Sequence, residues 1–229
     1  MLTDFFRKKQ FYQIALNLIS IVFVVFSLIY AYTLTQIKSV YVGKSFYFLI
    51  SESTHIEASA HFVSQNGGAG YLLEDKQRQY VAFSVYLNEE EGQSVLSSIK
   101  RKEEQTSLLA LTSYNLYFKT RKEKARAEEV KGAVSSLYSC IEVLNKEIVR
   151  LDKGATQQSS KRLLGTLQRQ FVFMEKKYRK SFPKFSQVCK DGAEQLIRII
   201  SDIVYVGDLR YLACALCVDF VDLTENFSL

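Results

Sequence analysis

A chain of 229 residues with 48% hydrophobic and 13% aromatic residues is long and apolar enough to bury a substantial core, in one large domain or two modest ones. Ten glycines and a single proline exclude a flexible-linker composition and a turn-dense all-β fold, leaving helix-rich architectures. The net charge of +6 is unevenly spread: residues 1–118 balance 10 basic against 10 acidic side chains, 119–190 carry 18 against 7, and 191–229 carry 2 against 7.

Residues 11–34 read FYQIALNLISIVFVVFSLIYAYTL and carry no formal charge. A helix crosses the hydrocarbon core with about 20 such residues, so 11–35 is expected to be a transmembrane helix. Phe5, Phe6, Phe11 and Tyr12 stand at one end and Tyr30 and Tyr32 at the other, where aromatic rings settle between lipid and water. Ala31-Tyr32-Thr33 puts a bulky ring where a cleavage site needs small residues, so the segment reads as retained. Arg7, Lys8 and Lys9 precede it, against Lys38 and Lys44 beyond it. That bias predicts a single-pass cell-membrane protein with a cytoplasmic tail over 1–10, a linker over 36–44 and an extracytoplasmic C-terminal body.

The body opens with SFYFLIS at 45–51, a run of strand character. A helix follows, with Ser53 or Thr54 placed to cap it, Glu57 completing a capping box, and Ile56, Ala60 and Val63 on one face. Gly67-Gly68 ends it. YLLED and QYVAFSVYL read as two strands around a charged turn, and EEEGQSVLSSIKRK as a helix from Glu89 to Lys102 whose end charges oppose its dipole. SLLALTSYNLYF supplies a fourth strand. The order strand, helix, strand, strand, helix, strand predicts a ferredoxin-like split βαβ unit over 45–120, with helices on one face of an antiparallel sheet. Strand alternation puts Phe46, Phe48, Val81, Phe83 and Val85 on the covered face and Tyr47, Ser51, Tyr80, Ser84 and Tyr86 on the open one.

The stretch GGAGYLLEDKQRQYVAFSVYLNEEEGQSVLSSIK at 67–100, with FYFLI upstream, resembles the sporulation-related repeat (SPOR) domain of membrane-anchored proteins in clostridia-like Firmicutes. The likeness covers about a third of the chain, roughly 45–120, and lies in pattern and order. It implies a SPOR-like domain whose open sheet face binds peptidoglycan glycan and localises the protein to a division or sporulation site. The glycan contacts would be Tyr47, Ser51, Tyr80, Ser84 and Tyr86, or these tyrosines merely line a half-buried sheet. The family's first strand carries a glutamine where this chain has Ile50.

Beyond Arg121 the period becomes helical. Val130, Val134, Leu137, Ile141, Leu144, Ile148 and Leu151 form one apolar stripe, and Leu164, Leu167, Phe171, Met174 and Tyr178 a second that ends before Pro183. Phe185, Cys189, Gly192, Leu196, Ile199, Ile203 and Val206 make a third, and Asp208 caps a last helix bearing Leu209, Leu212, Leu216, Phe220 and Leu223. The expectation is an α+β protein whose C-terminal domain, 121–229, is an antiparallel α-helical bundle. The basic surplus falls on the first two helices, either as their solvated face or as a contact for anionic polymers or lipid headgroups through Lys176, Lys177, Arg179 and Lys180. No nucleic-acid motif accompanies it.

Chemistry is sparsely signalled. His55 and His61 fall on different faces of their helix, and Cys214-x-x-Cys217 lacks a second ligand pair, so neither predicts a metal site. Cys140 and Cys189 complete the cysteine set; small buried core residues are their favoured role, with a bridge between two of the four as the alternative. No nucleophile, phosphate-cradle or dinucleotide motif is present. The sequence therefore predicts a protein that is not an enzyme and uses no cofactor. It either binds peptidoglycan or serves as an envelope scaffold that docks a partner membrane protein.

Overall fold

The computed structural model describes residues 19–32, 38–40, 43–75, 78–99, 106–118 and 121–226. The chain divides into two compact units, one formed by Met1–Val40 with Tyr117–Glu128 and the other by Tyr41–Leu116 with Glu129–Leu229. In the first, helix α1 (19–32) precedes strand β1 (Lys38–Val40), which pairs with β6 (Leu116–Phe118). Among the described residues no helix is long and apolar enough to cross a membrane. This corrects the expected transmembrane helix over 11–35, and with it the single-pass cell-membrane localisation and the division into cytoplasmic and extracytoplasmic parts. Residues 1–18 and 33–37 lie outside the described residues.

The second unit holds the core. Its sheet runs in the order β3-β4-β2-β5, where β2 is Ser45–Ser51, β3 Tyr71–Asp75, β4 Arg78–Tyr86 and β5 Thr106–Thr112. Every neighbouring pair is antiparallel. Helix α2 (Ile56–Gln65) joins β2 to β3, and α3 (Glu89–Ser98) joins β4 to β5, so each βαβ connection spans a strand of the other. Helix α3 starts on Asn88, whose side-chain oxygen accepts from the Glu90 amide at 2.8 Å. The capping box expected at α2 does not form: His55 stands at the cap without a side-chain bond, while Ser53 Oγ accepts from the His55 amide.

A β-bulge decides which side chains share a face. Tyr47 stands opposite Tyr86, Phe48 opposite Val85 and Leu49 opposite Ser84, but Ile50 opposes Ala82, leaving Phe83 as the extra residue on β4. Phe46 meets Tyr138 and Phe220 from the C-terminal helices, and Tyr71 meets Tyr211. The other face carries Leu108 and Tyr86 against Gly92 of α3, and Ser51, Val81 and Phe83 around Phe62 and Val63 of α2. The bulge thus separates Phe46 and Phe48 from Val81 and Phe83, which simple alternation had placed together. Helices cover both faces, and the sheet has no open one.

The C-terminal helices are α4 (Arg121–Asp152), α5 (Gln157–Tyr178), α6 (Pro183–Ser201) and α7 (Val206–Asn226). Their stripes are buried from Val130 to Ile148, Leu164 to Tyr178, Phe185 to Ile199 and Leu209 to Leu223. Ile203 falls beyond the end of α6 and is exposed. Helices α5 and α6 approach closely at Gly192, where a Cβ would stand 3.2 Å from the Phe171 ring. Between α4 and α5, the fully buried Glu147 accepts from Ser160 Oγ at 2.5 Å and from the half-exposed Arg150 at 2.6 Å, so the buried carboxylate has both a hydroxyl and a cation as partners. The sheet, α4 from Glu129 onward, and α5, α6 and α7 belong to one compact unit, in which α7 lies on the sheet.

One cooperative unit has a thermodynamic signature. Phe46→Ala, in the sheet, should cost about 3–5 kcal/mol and lower the helical far-UV and tyrosine near-UV transitions together in a denaturant titration. Separate transitions would show that the helices melt independently of the sheet.

Candidate functional site

Strand β4 outruns β3: the last β3 partner on it is Ala82, so Ser84 to Tyr86 continue past the edge strand. Leu87 and Asn88 then turn the chain into α3, which adds Glu91 and Val95. Opposite stands a face of α4 with Tyr138, Glu142, Asn145, Val149 and Asp152 at steps of four and three, beside its buried stripe. Arg210 of α7 closes one end, donating to the Gly67 carbonyl at 2.6 Å and to Asp152 Oδ2 at 2.8 Å. The groove between them holds about 840 Å³, within the roughly 300–1,000 Å³ range of ligand clefts.

Its walls are apolar, from Val85, Leu87, Val95, Ile148 and Val149, with the rings of Tyr86 and Tyr138. Its rim is charged in both signs: Glu91, Glu142 and Asp152 against Lys146, Arg150 and Arg210. Two of the cations are committed, Arg150 to buried Glu147 and Arg210 to Asp152. Burial raises the Tyr86 phenol, opposed by its hydrogen bond with Ser84 and by the charge of Arg210. Burial, then the Glu142 carboxylate, raises that of Tyr138. Lys44 Nζ sits 4.1 Å from the Tyr138 ring centroid, a cation–π contact that occupies one ring face. Both phenols are thus held as neutral donors. The groove offers apolar walls, a few hydroxyls and amides, and a two-signed rim, with no nucleophile and base in contact.

The five residues expected to contact glycan do not share an exposed surface. Ser84 and Tyr86 line the groove, Ser84 buried. Tyr47, half-buried, stands beside Tyr86 on the same face. Ser51 is buried and lines a separate hollow of about 280 Å³ against α2. Tyr80 is buried on the opposite face, opposite Leu73. The basic cluster is exposed at the end of α5, where cations complement the helix dipole. There Arg179 pairs with Glu175 at 2.5 Å and Lys177 Nζ lies 4.8 Å from the Tyr178 ring centroid, while Lys176 and Lys180 point to solvent.

All four cysteines are free and buried, and burial raises every thiol, that of Cys140 to about 11. They are inert core residues. His61 Nε2 lies 3.0 Å from Gln65 Nε2 on the exposed side of α2. Among the described residues no group of His, Cys, Asp and Glu could hold a metal ion. The groove residues Tyr138, Glu142, Asn145 and Arg210 were missed by sequence reasoning. Their one signal was the second face of α4, where Tyr138 and Val149 interrupt a polar surface. Comparison of the chain with protein-family models, curated proteins and solved structures finds no match.

On α7, Asp219 is pushed up to about 6 by burial and then by Asp222 and Asp191. Its folded pKa lies above the usual value of about 3.9. The folded chain therefore holds this proton more tightly than the unfolded chain, and stability is lost as pH rises from about 4 to 6. Asp219→Asn should remove that loss, so the melting temperature of the variant relative to wild type should climb across this window. A constant difference between the two would contradict the shift.

Proposed function

We propose that the protein is a non-catalytic docking protein with a SPOR-like sheet, whose groove between α3 and α4 receives an amphipathic helical segment of a partner protein. The observation that carries this reading is that helices cover both faces of the sheet. Glycan recognition through an open sheet face needs Ser51, Tyr80 and Ser84 on the surface, and all three are buried. The groove provides instead what a helix-in-groove contact uses: apolar walls for anchors three and four residues apart, and a rim that can pair with charges of either sign. Ile50, where the related family carries a glutamine, is also buried and belongs to the packing.

A photo-reactive phenylalanine at Val149, 48% exposed on the α4 wall, tests the proposal in the full chain expressed in the cells that make it. A discrete adduct should form, and mass spectrometry should map it to a partner segment of helical apolar period flanked by both charge signs. Lys146→Glu should reduce the adduct several-fold without changing the melting temperature, and the same label at exposed Phe173 should give none. Retention of the wild-type chain on peptidoglycan stripped of its stem peptides, lost in Tyr86→Ala, would overturn the docking reading in favour of glycan binding.

A further inference from the structure

The sheet ends on β5, and among the described residues no strand pairs with its outer edge. Its seven residues, Thr106-Ser107-Leu108-Leu109-Ala110-Leu111-Thr112, pair with β2 without a register shift. They include no charge and no proline. Long edge strands are ordinarily protected by a lysine, a proline, a bulge or shortness. The opposite edge shows such protection: β3 has only five residues and ends in Glu74-Asp75. The bulge lies on the inner β2/β4 pair, where it protects no edge.

We propose that β5 pairs antiparallel with β5 of a second copy of this chain, about a two-fold axis through Leu109. The identity of the occupant follows from the strand's own sequence. Reversed about Leu109, the strand places Thr106 opposite Thr112, Ser107 opposite Leu111, Leu108 opposite Ala110 and Leu109 opposite itself. Opposed residues on an antiparallel pair share a face, so this register keeps both layers of the sheet in step. Leu109 and Leu111 lie on the Phe46 and Phe48 side, as their β2 partners show, and both are half-buried. Meeting across the axis, the Leu109 pair extends the apolar layer from one chain into the next. On the α3 side Thr106 and Thr112 meet, a favourable cross-strand pair. The interface is self-complementary, as a two-fold contact requires, and joins two four-stranded sheets into one.

The test uses the full chain with single new cysteines, the four native ones being buried. Leu109→Cys places two thiols on directly opposed residues, about 4.5–5.5 Å apart between Cα atoms, a span that a disulfide bridges. Ser107→Cys places them four residues out of register, about 13 Å apart, too far to bridge. Under mild oxidation the Leu109→Cys chain should form a covalent dimer at least about tenfold faster than the Ser107→Cys chain. Light scattering should give a dimer for wild type and a monomer for Ala110→Lys, a change at an exposed edge position that leaves the far-UV circular dichroism unchanged and removes the concentration dependence of the melting temperature. A wild-type monomer at about 100 μM, well above ordinary dimer dissociation constants, would overturn the proposal. So would equal rates for the two cysteine chains, or a dimer unaffected by Ala110→Lys.

Discussion

The aromatic contact between sheet and helix α7 holds the second unit together. The Phe46 ring stands edge-on to Phe220 with centroids 5.4 Å apart, and Tyr138 of α4 packs against both. Two of these three rings are almost wholly removed from water, and aromatic side chains carry the largest apolar area of any residues. Because the cluster draws one side chain each from β2, α4 and α7, losing it frees three elements at once. The groove depends on it too: Tyr138 is both a member of the cluster and part of the groove wall.

Around that contact the unit is layered, with α2 and α3 on one sheet face and α7 on the other. A four-stranded antiparallel sheet with one face free could present a flat binding surface. With α7 on that face neither face of the sheet is open, and a groove of about 840 Å³ lies where the end of β4 meets α4. The buried Glu147, shared between Ser160 and Arg150, fixes α4 against α5 on the far side of α4. It settles how α4 is turned about its axis, and so which of its faces the groove receives.

Much of this was legible in the sequence, and the rest failed for identifiable reasons. The four apolar stripes from Val130 to Leu223 could be read because a 3.6-residue period survives in any helix that buries one side. The bulge could not, since neither Phe83 nor Ser84 is a glycine or otherwise marks an extra residue, and one unmatched position reversed the faces of half a strand. The covered sheet had left a trace: α7 buries Ala213, Cys214 and Cys217 as well as its Leu212, Leu216 and Phe220 stripe, which is more than one face of a helix needs. The groove is assembled from segments around residues 86, 145 and 210, and no local pattern joins such distant positions. The uncharged run at 11–34 was read from composition alone, and among the described residues no helix is long and apolar enough to cross a membrane.

The extra residue on β4 also has a bearing on which sequence changes the chain can tolerate. With Phe83 unmatched in the ladder, its carbonyl is free to accept from the Ala69 amide at 2.7 Å, while the neighbouring Gly67 carbonyl is taken by Arg210. Gly67 and Gly70 both adopt left-handed backbone, and a Cβ at Gly70 would come within 2.4 Å of the Ala60 carbonyl oxygen. A glycine-rich loop is usually where a protein family accumulates insertions and drift. This one is fastened to the sheet at one point and to α7 at another. Length variation among natural variants should therefore avoid residues 66–70 and collect at the α4–α5 turn around Gly154, where nothing crowds the chain.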